Sequence, residues 1–148
     1  MNLFKRLFSS REQHLEHPVF GRALLIKAEM GSYWEAEPKL NDEPFSVAIE
    51  TTDDAPPSET QVRFYETIVA DLDSAFRRAA PVLVREYEEW MNEPFPEQWR
   101  TAFKPVGMSV PLDGLDTNPW DLSFDCLTDR DGHQFTCYFE RGVPQHVS

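Results

Sequence analysis

Cys126 and Cys137 are the only two cysteines of the chain, and their chemistry is the first to be weighed. Paired thiols can cycle through a disulfide or hold a soft metal ion. These two lack the C-x-x-C spacing of redox and zinc motifs. They fall on apolar positions of two strand-like runs, where a free cysteine behaves as a small hydrophobe. Reduced core cysteines are therefore expected. His14 and His17 are three apart and share one face if their segment is helical. A tetrahedral metal site needs more ligands, and His133 and His146 lie in a turn and at the tail.

Asp121 and Asp125 flank Ser123 on one face of a strand-like run. Paired carboxylates perform acid–base work when a pocket drives their pKa values apart, and the sequence shows no such pocket. Asp113 to Asn118 is rich in oxygen ligands, but it does not fit the calcium-loop pattern. Ser, His and Asp are present without a G-x-S-x-G elbow. There is no P-loop, no G-x-G-x-x-G and no H-E-x-x-H. No catalytic residue, metal ligand or cofactor is predicted. The tryptophans Trp34, Trp90, Trp99 and Trp120 suit either a core or an interface. Trp34 sits among Tyr33, Glu35 and Glu37, an aromatic rimmed by acid. Trp34, Glu35 and Glu37, with Asp121, Asp125, Tyr138 and Glu140, form the candidate partner-binding set.

The formal net charge of −12 narrows the partner. Nucleic acid is excluded, because binding it needs a basic surface that neutralises phosphates. An anionic membrane is disfavoured for the same reason. A basic protein is favoured, since opposite fields steer encounter. The plainer alternative is that acidity serves only solubility. Residues 31–60 carry one basic and eight acidic groups, and residues 111–148 two and seven, so the acid concentrates in strand and loop segments. No apolar run is long enough to span a bilayer, and the start is too short and interrupted for a signal peptide. The expected compartment is cytoplasmic.

A chain of 148 residues with 41% hydrophobic and 13% aromatic residues fits one domain with a real core. Residues 1–17 are expected to form an amphipathic helical segment, with Leu3, Phe4, Leu7 and Phe8 at helical spacing. Residues 18–148 form the domain. Strands are predicted over Gly21–Glu29, Tyr33–Glu37 and Phe45–Glu50. The turn at Met30-Gly31-Ser32 leaves the first register open. A three-residue loop puts Trp34 and Ala36 on the face of Ile26 and Ala28, and a two-residue loop flips them. Ser58 and Gln61 form a capping box. Val62, Tyr65, Val69, Leu72 and Phe76 follow as a helical stripe, which Pro81 kinks or restarts. A second helix runs to Met91.

Val106, Met108 and Val110 alternate as a further strand. Trp120–Thr128 and Gln134–Glu140 read as a hairpin closed by Asp131-Gly132. That turn pairs Phe124 with Phe139, Cys126 with Cys137 and Thr128 with Phe135. Leu122, Phe124, Cys126, Phe135, Cys137 and Phe139 face the core, and Asp121, Ser123, Asp125, Thr136, Tyr138 and Glu140 face water. The expected fold is α+β: an antiparallel sheet of about six strands, ordered β-β-β-α-α-β-β-β, with two helices on one face and a short N-terminal helix.

Phe20-Gly21 entering a strand, then Trp34, the Phe45-Val47-Ile49 strand, the capped helix pair and the closing run from Asp131 to Gly142 resemble small bacterial proteins of unknown function. Those families are similar to immunity proteins encoded beside polymorphic toxins. The resemblance implies a non-enzymatic acidic binding protein that neutralises a basic toxin, and it carries no functional residues with it. Two other readings stand beside it. One is a small ligand-binding or hydrolase-like domain with a pocket between helices and sheet. The other is an adaptor that docks through residues 1–8.

Overall fold

Apolar residues at every second position drive more of this chain into strands than into helices. The computed structural model describes residues 13–148. The amphipathic pattern of residues 1–8 lies outside the described residues. Where a helical segment through residue 17 is expected, His14–His17 instead forms strand β1, paired antiparallel with β2 (Gly21–Ala28). The turn is closed by a histidine. The His17 Nδ1 atom accepts the backbone N–H groups of Val19 and Phe20 at 3.0 and 3.3 Å. Because a strand alternates faces, His14 and His17 do not share one.

β2 and β3 (Gly31–Ala36) meet with Ala28 opposite Gly31, so Glu29 and Met30 alone make the turn. This is the shorter of the two loops. It sets Trp34 against Leu25 and Ala36 against Ala23, and all four side chains are buried. A small ribbon of β4 (Lys39–Leu40) and β5 (Glu43–Pro44) leads to β6 (Ser46–Thr51).

The capping box forms as the sequence predicts. The Ser58 hydroxyl accepts from the Gln61 backbone, the Gln61 side chain accepts from the Ser58 backbone, and α1 spans Glu59–Ala70. The break in the helical run falls at Asp71, not at Pro81. Asp71 caps α2 (Leu72–Met91) by accepting from the Ser74 N–H, and Pro81 lies inside α2 on its exposed side. Asn92 ends α2 in the left-handed region, φ 53°. A short 3-10 turn at Trp99–Thr101 leads into β7 (Phe103–Val110), β8 (Trp120–Cys126), β9 (Gln134–Glu140) and β10 (Val143–Val147).

The result is an α+β fold with a mixed eight-stranded sheet ordered β1-β2-β3-β6-β7-β8-β9-β10. The expectation of six antiparallel strands is corrected twice. β1 and β10 add a strand at each edge. β6 and β7 pair in parallel, because the helical crossover between them returns the chain in the same direction. The last hairpin is also displaced. Phe124 faces Phe135 and Leu122 faces Cys137, a slip of four positions from the expected register, and Cys126 lies opposite Phe103. An even slip keeps every side chain on its expected face. Both helices pack on the buried face, through Phe64 against Trp120, Phe76 against Phe124 and Tyr87 against Phe103. Buried side chains fill the space between helices and sheet.

Candidate functional site

The helices cover one face of the sheet, and the other face is half-exposed along its centre. Strand pairing draws a row across that outer face. His14 lies opposite Leu24, Leu24 opposite Glu35, Glu35 opposite Ala48, and Ala48 opposite Ser109. The Asp121 N–H donates to the Ser109 hydroxyl at 2.9 Å, which carries the row onto β8. Asp121 then faces Tyr138, and Tyr138 faces His146. A shorter row of Ile26, Tyr33 and Glu50 runs beside it.

A cleft of about 820 Å³ opens over the part of these rows that runs from Tyr33, Ala48 and Glu50 to His146, with Tyr33 and Glu50 on one side and Tyr138 and His146 on the other. Its floor includes Ser109 and Asp121. The volume lies in the range of about 300–1,000 Å³ usual for ligand sites. The Tyr138 and His146 rings stack at 4.6 Å and form one wall. Met30, 99% exposed at the β2–β3 turn, and Leu112, 48% exposed, stand at the rim.

The cleft is acidic. Glu50, Asp121 and Glu140 line it, and no lysine or arginine does among the described residues. Burial raises the Glu50 carboxyl above its ordinary value. The Leu112 N–H, donating at 3.2 Å, opposes that rise, and the charges of Asp121 and Asp113 add to it. Burial likewise raises Asp121, against the hydrogen bond to Ser109. Neither carboxylate has an ion pair among the described residues. The half-buried Asp121 beside the more exposed Glu50, with no lysine or arginine lining the cleft among the described residues, is held at a cost in charge desolvation, which a cationic group entering the cleft offsets.

Glu50 is positioned from behind. Gln61 is buried, and its side-chain amide donates to the Glu50 carbonyl at 2.7 Å and the Pro111 carbonyl at 3.1 Å. Gly114 lets the loop after β7 press onto the same helix start. Its φ is +67°, and a Cβ there would lie 2.5 Å from the Thr60 carbonyl.

The structure brings together part of the sequence-derived set. Asp121, Tyr138 and Glu140 line the cleft. Glu35 lies on the same transverse row, and with Glu37 it lines a neighbouring cleft of about 830 Å³ that also holds His14, Arg22 and Lys39. That second cleft is therefore mixed in charge. Asp125 sits two outer-face rows from Asp121, opposite Gln134 and Lys104. Trp34 leaves the set. It is 3% exposed on the helix side, and its indole N–H donates to the Ala55 carbonyl at 2.8 Å, so it belongs to the core.

Sequence reasoning missed Tyr33, Glu50, Ser109 and His146 as site residues. Glu50 had a signal, since it occupies the polar phase of the Phe45-Val47-Ile49 alternation. Nothing local says that β6 lies beside β7. Both cysteines are free and buried. Among the described residues no group of three or more His, Cys, Asp or Glu side chains is arranged to hold a metal ion, and no helix is long and apolar enough to cross a membrane. No protein-family model, curated protein or solved structure matches this chain.

Proposed function

We propose that this chain is an acidic binding protein whose outer sheet face receives a basic protein partner. One observation carries the reading: the exposed Glu50 and the half-buried Asp121 share an open cleft with no lysine or arginine among its described lining residues. The net charge of −12 supports it by steering a basic surface toward this one. Exposed Met30 and Leu112 at the rim supply apolar contact around the charges. The immunity-protein reading is the specific form of this proposal: the partner is then a toxin whose basic site the outer face covers.

The test is a binding comparison. A partner captured on the tagged chain is purified, and its affinity is measured for the unaltered chain and for the Glu50→Gln, Asp121→Asn double variant. The double variant is expected to lose at least about tenfold in affinity, the scale of losing one charge-assisted contact. Unchanged affinity in the double variant overturns the reading. For the immunity form, co-expression must also neutralise a toxin encoded beside this chain.

The cleft volume and its two raised carboxylates also favour a second reading, in which the outer face holds a small cationic molecule. Titration with small amines in place of a protein separates the two.

A further inference from the structure

The cleft has features that discriminate between the two kinds of basic side chain. Resting on the reading that the outer face receives a basic partner, we infer that the cleft takes an arginine of that partner. Its guanidinium is held by Asp121 and Glu50 and lies against the Tyr138–His146 stack.

Three observations lead there. The first is the disposition of acceptors. Glu50 and Asp121 come from β6 and β8, two strands separated by β7, and so approach the cleft from different directions. A guanidinium offers five N–H donors in a planar fork and serves two separated carboxylates at once, whereas an ammonium is a compact point charge. The second is the wall. Tyr138 and His146 stack at 4.6 Å with 19° between their planes, which presents a flat π surface beside Asp121. Guanidinium stacks on such a surface, and it gives up hydration more readily than ammonium, as a half-buried site requires.

The third is that the same chain already uses this chemistry on the other side of the same two strands. Trp120 and Phe139 are opposite each other and stack at 4.4 Å. The Arg78 guanidinium lies over both rings, at 5.6 and 5.4 Å, and donates to the Asp116 carboxylate at 2.6 Å. The next pair along is Asp121 with Tyr138, and its side chains point to the outer face. The outer site repeats the inner combination of ring stack and carboxylate, and among the described residues no arginine lines it. Met30 and Leu112 at the rim are placed to pack on an arginine's methylene stem.

The experiment titrates the full chain with three capped pentapeptides, Gly-Gly-X-Gly-Gly, in which X is arginine, lysine or citrulline. Backbone amide shifts report where each binds. The arginine peptide is expected to shift Ser109, Asp121 and Tyr138 and to bind about fivefold or more tighter than the lysine peptide. The citrulline peptide, isosteric but neutral, is expected to leave those resonances unmoved. His146→Ala, at an exposed edge position, removes the stack without touching the core, and it is expected to erase the preference for arginine while retaining charge-driven binding.

Equal or tighter lysine binding overturns the arginine assignment and leaves the basic-partner reading standing. Shifts confined to another surface overturn it as well, as does the absence of any cleft shift at millimolar arginine peptide. If the Glu50→Gln, Asp121→Asn variant also keeps full affinity for a purified protein partner, the basic-partner reading falls with it.

Discussion

The side-chain amide of Gln61 donates to the Glu50 carbonyl at 2.7 Å, so the first turn of α1 holds the strand end that carries a cleft carboxylate. The same amide reaches the Pro111 carbonyl, and the Gln61 side-chain oxygen accepts the Ser58 N–H at 3.0 Å. One buried side chain thus joins a helix start, a strand end and a loop. Gln61→Leu is expected to leave those backbone groups unpaired and to cost about 1–3 kcal/mol. Gln61→Glu is expected to cost more, because it sets a buried negative charge against the Glu50 and Pro111 carbonyl oxygens. Urea denaturation midpoints check both, and an unchanged midpoint for Gln61→Leu contradicts the account.

Glu50 and Asp121 give stability and binding opposite responses to acid. Burial raises both folded-state values above those of the unfolded chain. The stability linked to each group is therefore fully present below the unfolded value and is lost as pH rises through the folded one. Near neutral pH the charged forms weaken the fold, so Glu50→Gln and Asp121→Asn are expected to raise its stability. Mild acid, entering the raised range, is expected to release a basic partner while the contribution of these two groups to stability grows. Stability and affinity measured side by side across that range, with the variants as reference, check the crossing. Parallel losses in both count against it.

The sequence carries faces better than it carries neighbours. Alternation along Trp120–Cys126 and Gln134–Glu140 sets Asp121 and Tyr138 outward whatever the register, so the slip of four positions left their faces unchanged. The register itself failed because Asp131-Gly132 does not close the strands directly. The turn it makes, with the Gly132 N–H on the Asp129 carbonyl, sits within a longer loop, and the Cys126 N–H bonds the His133 carbonyl. β1 and β10 went unread because His14–His17 and Val143–Val147 are short and polar, and Pro144 interrupts the second. Edge strands tolerate such residues. The cleft needs β6 beside β7, a parallel pairing of residues about sixty apart in sequence, and local pattern holds no information on it.

The cysteines are expected to be inert in the folded protein. The Cys137 thiol is pushed up to about 12, chiefly by burial and further by the charge of Asp121. Almost no thiolate then exists near neutral pH, and thiolate is the reactive form. Cys126 is buried opposite Phe103. Iodoacetamide is expected to label both residues only as fast as the chain unfolds, and reductant is expected to leave the melting temperature unchanged. Fast labelling of native protein at either position contradicts this placement.

His17 makes the β1–β2 turn sensitive to acid. Its Nδ1 must be unprotonated to accept from Val19 and Phe20, and burial lowers its pKa. Glu59, Arg63 and Glu66 of α1 line the same hollow as His17, with charges of both signs. A lowered folded value means that stability is present above the unfolded value of about 6.5 and is lost as pH falls toward the folded one. His17→Asn keeps a turn acceptor without a titrating ring. The difference in stability between the two proteins is expected to shift in favour of the variant from about pH 7 to pH 5. A constant difference across that range removes His17 as the cause.

Trp34 is the residue on which an interface reading and a core reading diverge most sharply. An interface anchor, when truncated, costs binding and leaves the fold largely intact. A core tryptophan costs stability first. Trp34 is packed opposite Leu25 and Ile49, and its indole N–H is spent on the Ala55 carbonyl. Trp34→Ala is expected to lose about 3–5 kcal/mol through the cavity it leaves. Trp34→Phe keeps most of the volume but abandons the Ala55 carbonyl, for a loss of about 1–2 kcal/mol. Neither is expected to change the affinity of the folded fraction for a basic partner, since Trp34 points away from the cleft. Thermal melts paired with binding measured well below the transition separate the two effects. A Trp34→Phe protein that melts normally but binds poorly returns this residue to the interface.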